Sequence, residues 1–115
     1  MWWRIAGGMG ASGVALGAFG AHALEGAVTD PELMAIWRTA SLYHLVHAVA
    51  LLGVAAHPGS PKWAGRLFTL GIAIFSGSLY TLVLTDVRWL GAITPIGGTC
   101  LIAGWLTLIW TPHHA

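Results

Sequence analysis

The chain has 115 residues, of which 57% are hydrophobic and only 8% charged, with a formal net charge of +1. That balance excludes an electrostatic nucleic-acid binder: there is no basic cluster, no Gly-rich phosphate loop with its lysine, and no zinc-spaced cysteine pair. Long apolar runs between small groups of charge place the chain in the membrane class.

Four such runs are long enough to cross a hydrocarbon core of ~30 Å. They predict helices over approximately residues 3–24, 31–56, 63–84 and 92–111. The connections are short, so neighbouring helices are expected to form antiparallel hairpins and no soluble domain fits between them. The expected fold is therefore an all-α membrane protein. It is a single domain, 1–115, built as a four-helix transmembrane bundle. The runs do not alternate in polarity, which argues against a β-barrel.

The first run carries Arg4 and Ala21-His22-Ala23, a small-x-small pattern that also suits signal cleavage, but its apolar stretch is longer than a usual signal core. At ~100° per residue Gly10, Gly13, Gly17 and Gly20 share one side of the helix, and Ala11, Ala15, Ala18 and His22 the other. Small faces let membrane helices approach closely, so a helix small on two sides predicts packing on two sides. Either the helix lies at the centre of the bundle, or one of its faces meets a further membrane subunit or a second copy of the chain.

Asp30-Pro31-Glu32 reads as an N-cap, a proline at the first helical position and an acid in the first turn. Arg38 can then snorkel at headgroup level. Thr39, Tyr43, His44 and His47 share one ~140° arc of the second helix, with Arg38 pointing away. His57-Pro58-Gly59-Ser60-Pro61 cannot continue a helix. The third helix places Thr69, Ala73, Ser76, Gly77 and Tyr80 on one stripe, and the fourth places Thr94, Gly98 and Trp105 on one. Cys100 reads as a small core residue. His113 and His114 read as solvated terminal residues.

Arg4, Lys62 and Arg66 fall at one end of the bundle. Arg38, Arg88 and all four acids, Glu25, Asp30, Glu32 and Asp86, fall at the other. The basic excess makes the first end cytoplasmic, with both termini on that side. Measured from Arg38, His44 lies ~9 Å deep and His47 ~14 Å deep. His22, Tyr43, Ser76, Tyr80 and Thr94 belong to the same half of the bilayer. Isolated polar groups are expensive in lipid, so these residues are expected to converge.

Three functions suit such a cluster. His22, His44 and His47 could hold haem, copper or another metal, although metal sites usually want three or four ligands. His47, Tyr43 and Tyr80 could relay protons or bind a quinone. The favoured reading is structural: His47 donates to a serine or a backbone carbonyl of the third helix and sets the register of the bundle. Nothing points to an enzyme, since no nucleophile–base pair stands outside the cluster.

Four motifs resemble one small bacterial inner-membrane family. They are Gly17-Ala18-Phe19-Gly20-Ala21-His22-Ala23-Leu24, the run from Tyr43 to Leu51, Phe75-Ser76-Gly77-Ser78-Leu79-Tyr80, and the run from Gly91 to Gly98 followed by Gly104-Trp105. The family is domain of unknown function 423, with small transmembrane relatives in animals. The resemblance implies a four-helix inner-membrane protein and no particular activity. It maps signature positions onto His22, Tyr43, His47, Ser76, Ser78, Tyr80, Thr94 and Pro95. His44 departs from the family's more usual glutamine, and Asp86 from its glycine.

Overall fold

The computed structural model describes residues 1–59 and 61–112, so Ser60, His113 and His114 lie outside the described residues. Among these residues the chain forms four helices and no strand. Helix α1 covers Trp2–Phe19, widens into a π-helical turn at Gly20–Leu24 and ends with the short stretch Glu25–Ala27. Helix α2 covers Pro31–Ala56, α3 covers Lys62–Thr85, and α4 covers Thr94–Ile109 after a 3₁₀ turn at Arg88–Ala92. Three helical stretches, rather than four, are long and apolar enough to cross a membrane on length and composition: Pro31–Ala56, Lys62–Thr85 and Arg88–Ile109. The glycines of α1, with Arg4, dilute its hydropathy below theirs.

Local chemistry sets several boundaries. The Asp30 side chain accepts a hydrogen bond from the Glu32 amide at 2.9 Å, and Pro31 occupies the first helical position, so α2 starts there. Helix α3 stops at Asp86, whose φ of 54° is left-handed. Glycine fits that position without strain and aspartate tolerates it, so the glycine that the family resemblance implies there would suit the same turn. In the π turn of α1, the Glu25 amide bonds back five residues to the Gly20 carbonyl.

Packing is closest where side chains are absent. A Cβ on Gly20 would strike the Trp37 ring, and one on Gly13 would come within 2.8 Å of Leu45. These two glycines seat α1 on α2. Gly10 and Gly17, expected on the same packed face, have open space beside them. At the other end of α1, the Trp2 ring covers Gly65 of α3. Between α3 and α4 Gly71 faces the Leu101 side chain and Gly104 the Phe68 ring, while Gly97 lies directly against the backbone of Phe75. Lipid tails are as apolar as leucine, so such close approach supplies the packing energy that water expulsion would supply in a soluble core. Trp37, Phe68 and Leu51 fill the spaces between the helices and are fully buried.

The two connections near the acids are also tied. Arg88 meets Asp30 at 3.2 Å, Glu32 at 3.7 Å and Asp86 in its own turn, while Arg38 meets Glu25 at 3.6 Å. All these groups are solvent-accessible, so water screens each pair and its contribution to stability is small.

The Gly97 contact generates a clear contrast. Gly97→Ala forces a methyl against the Phe75 backbone, which has no flexible end to yield, and should destabilise the bundle by about 1–3 kcal/mol. Gly98→Ala meets only the Phe75 ring at 3.6 Å and should be nearly neutral. Unfolding in mixed detergent measures both, and equal effects would mean that α4 is free to move off α3.

Candidate functional site

The polar residues in the interior of the bundle form two connected groups, each centred on a histidine of α2. His44 is buried and reaches both neighbouring helices: its Nδ1 is 2.9 Å from the Tyr80 hydroxyl of α3, and its Nε2 is 3.1 Å from Ser12 Oγ of α1. Ser12 in turn donates to the Met9 carbonyl at 3.1 Å. The Tyr80 hydroxyl also lies 3.4 Å from Ser41 Oγ. A consistent proton order runs from the Tyr80 hydroxyl to His44 Nδ1, then from His44 Nε2–H to Ser12 and on to the Met9 carbonyl. It requires a neutral imidazole and leaves every proton of the chain with an acceptor.

His47, one turn deeper, is more tightly specified. Its Nδ1 is 2.8 Å from the Tyr43 carbonyl, which can only accept. Its Nε2 is 2.9 Å from the Trp105 indole nitrogen of α4, which can only donate. The two partners together assign the neutral Nδ1–H tautomer. The Phe68 and Trp105 rings pack around the imidazole at centroid distances of 5.5 and 5.7 Å.

Smaller ties complete the arrangement. Ser76, almost wholly buried, donates to the Ala40 carbonyl at 2.8 Å and joins α3 to α2. Ser78 and Thr94 share a 2.7 Å hydrogen bond between α3 and the start of α4. The Trp37 indole donates to the Leu16 carbonyl at 2.9 Å, one turn before the π turn of α1. Among the described residues no buried side-chain nitrogen or oxygen lacks a partner.

Of the residues singled out in the sequence, the structure brings His44, Tyr80 and Ser76 to the α2–α3 contact and puts His47 beside them. Tyr43 contributes its carbonyl to His47 and is 42% exposed, with its ring nearly parallel to the His47 imidazole at 6.2 Å and tilted against Phe75 at 4.8 Å. Thr94 pairs with Ser78 instead of joining the histidines. His22 does not join them either: it stands exposed on the π turn. The helical step puts it with Ala11, Ala15 and Ala18, opposite Gly13 and Gly20, which face α2, so lying at the same depth does not bring it to the histidines. The expected partner of His47 also changes. His44, not His47, meets Tyr80, and His47 bonds to its own helix and to α4 instead of α3. Sequence reasoning missed Ser12 as a partner. Its signal was a lone hydroxyl midway along a small-faced helix, which needs an acceptor in lipid. Trp105 stood on the polar stripe of the fourth helix, and a buried indole N–H seeks a partner.

The sequence matches the model of a family described as protein of unknown function (DUF423) over residues 16–98. It is 51% identical to a UPF0382 membrane protein of Staphylococcus epidermidis over 84% of this chain and 81% of the relative. It is 46% identical to a UPF0382 membrane protein of Bacillus subtilis, over 84% and 82%. A UPF0382 membrane protein of the yeast Schizosaccharomyces pombe is 40% identical over 93% of this chain and 97% of its own. The chain belongs to the DUF423 family. It is a membrane protein, as its relatives' names state. No solved structure matches it.

Within the stretch matched to DUF423 fall both histidines of α2, Ser76, Ser78, Tyr80 and Thr94. Ser12 and Trp105, the outermost partners of the two histidines, fall outside it. A glutamine, the residue that the family resemblance implies at position 44, could still accept from Tyr80 and donate to Ser12, because an amide carries both functions. Metal ligation asks more of these residues than they can give. His47 has a proton on one nitrogen and an indole donor on the other. Among the described residues no three His, Cys, Asp or Glu side chains stand together as a ligand set.

The His47–Trp105 bond can be measured directly. Membrane hydrogen bonds between helices average about 0.6 kcal/mol and reach about 1.7. His47→Leu and Trp105→Phe should each destabilise the bundle, and the double-mutant cycle in bilayer or detergent should return a coupling within that range. Purely additive effects would mean that the two side chains are neighbours without a bond.

Proposed function

We propose that this DUF423 protein is a multi-pass protein of the bacterial inner (plasma) membrane that works through its helix surfaces. It serves as an accessory or assembly subunit of a membrane complex, or assembles with itself. The observation that carries this reading is the second small face of α1. Gly7 and Gly8 have nothing within 4 Å of a would-be Cβ. Ala11, Ala15 and Ala18 beside them are exposed. A face of this kind turned to lipid gains energy by receiving another helix. The polar interior supports the same reading, because its hydrogen-bonding capacity is spent on joining helices.

We further infer a single domain of four spanning helices in antiparallel hairpins. Paired contacts support this. Ser12 and Leu16 of α1 meet His44 and Trp37 of α2, so one chain rises as the other falls. Phe68 and Phe75 of α3 meet Gly104 and Gly97 of α4 in the same reversed order. Arg88 bridges to Asp30 and Glu32 at one end, while Trp2 packs on Gly65 and Gly59 approaches the Pro112 carbonyl at the other. Both termini then share the side bearing Arg4, Lys62 and Arg66, the cytoplasmic side by the positive-inside rule.

The alternative was a ligand-binding protein holding haem, copper or quinone at His22, His44 and His47. It receives no support from the geometry. His22 stands apart, and the two remaining histidines are occupied on both ring nitrogens.

One set of variants tests the proposal, each in a Cys100→Ala background. Ala11→Trp and Ala18→Trp should abolish a higher-order complex on native gels while the monomer keeps its helix content and unfolding midpoint. A complex that survives both substitutions would contradict the role of α1. Cysteines at Thr29 and Pro58 report orientation: an impermeant thiol reagent applied outside should label position 29 and not 58, and the reverse would invert the threading.

A further inference from the structure

A groove of about 270 Å³ runs between α1 and α2, apart from the outward small face of α1. Gly17, Gly20 and Ala21 form its α1 wall, and nothing stands within 4 Å of a would-be Cβ on Gly17. The absence of side chains there is what makes the trough. Trp37 and Leu45 line the α2 side. From Arg38 at the mouth to Leu45 the groove extends ~10 Å along α2. The mouth carries two opposite charges, Glu25 and Arg38, 3.6 Å apart with side chains 57% and 64% exposed. Apart from Ser41 the interior of the groove is apolar, and its open end is a positive and a negative group side by side.

We propose that this groove holds one acyl chain of a zwitterionic phospholipid whose headgroup bears a primary ammonium. Arg38 receives the phosphate, for which the planar guanidinium fork is suited. Glu25 accepts hydrogen bonds from the ammonium. The acyl chain lies along the glycine wall above Trp37. A helix from another subunit is the poorer occupant, because covering the mouth would desolvate the Glu25–Arg38 pair, whereas a headgroup extends the pair into the wet interface. A net-anionic headgroup satisfies Arg38 and is repelled by Glu25. A choline headgroup has the right charge but no N–H for Glu25 to accept.

Lipid retention by the purified full chain tests this. Protein in mild detergent is given equimolar phosphatidylethanolamine, phosphatidylcholine and phosphatidylglycerol of identical acyl chains, and bound lipid is counted by native mass spectrometry. Two exposed, charge-assisted contacts correspond to a preference of about two- to fivefold for phosphatidylethanolamine over each of the others. Glu25→Gln should bring that ratio to about one against phosphatidylcholine and raise phosphatidylglycerol, since Arg38 is then unopposed. Arg38→Gln should lower retention of all three lipids. So should Ala21→Phe, which fills the trough. Circular dichroism checks that each variant keeps its helices, and if one variant fails to fold, the others still decide. Equal retention of the three lipids by the wild type, or a ratio unchanged in Glu25→Gln, overturns the proposal. A disulfide between two copies of Ala21→Cys formed in native membranes also overturns it, in favour of a second copy as occupant.

Discussion

The imidazole of His47 has a carbonyl on one side and an indole N–H on the other, and most of the bundle's register follows from that constraint. The Tyr43 carbonyl can only accept and the Trp105 nitrogen can only donate, so the ring is neutral and its orientation is set. In water either partner could be replaced by solvent. In the hydrocarbon region it cannot, and an indole N–H without an acceptor is costly. Sliding α4 along α2 by one turn would leave Trp105 unpaired and would also carry Gly97 and Gly104 away from Phe75 and Phe68. His44 applies the same constraint one turn away on the same arc of α2, where Ser12 and Tyr80 fix α1 and α3.

The glycines and the histidines act together. Polar contacts between membrane helices are individually weak, on the order of 0.6 kcal/mol, so they select among arrangements more than they stabilise any one. Stabilisation comes from close approach, and close approach needs positions without a Cβ. Gly13 and Gly20 on α1, and Gly71, Gly97 and Gly104 between α3 and α4, supply them. The Trp37 indole links both effects: its ring fills the space at Gly20 while its N–H is satisfied by the Leu16 carbonyl. The glycines left open at 7 and 8 take no part in this packing, and they lie on the face that the proposed assembly would use.

Much of this architecture was legible in the residues. Apolar runs marked an all-helical membrane chain, and Asp30-Pro31 marked the start of α2, because capping chemistry is local. The motifs from Gly17 to Trp105 pointed to the family. Position along a helix was less readable. A uniform ~100° step put Gly10, Gly13, Gly17 and Gly20 on one face, and three-dimensional packing used only Gly13 and Gly20. Shared depth grouped His22 with the other histidines, whereas the step itself put it on the alanine face, opposite the glycines that seat α1 on α2, and it is exposed there. The arc on α2 correctly joined His44 to His47 but could not say which would face α3. That depends on how α2 is rotated between two neighbours, and rotation is set by partners on other helices, Ser12, Tyr80 and Trp105, not by α2 itself.

The histidines are joints between helices, and in the proposed function the open surfaces carry the biological role. His47 is a neutral structural bridge whose two nitrogens are committed. Solid-state NMR on ¹⁵N-histidine-labelled protein in lipid bilayers reads this directly. The account predicts a His47 signal of the neutral Nδ1–H tautomer, with its Nε2 close to the Trp105 indole nitrogen and lost from that proximity in Trp105→Phe. A charged imidazolium, the Nε2–H tautomer, or a metal-shifted nitrogen at His47 would contradict it.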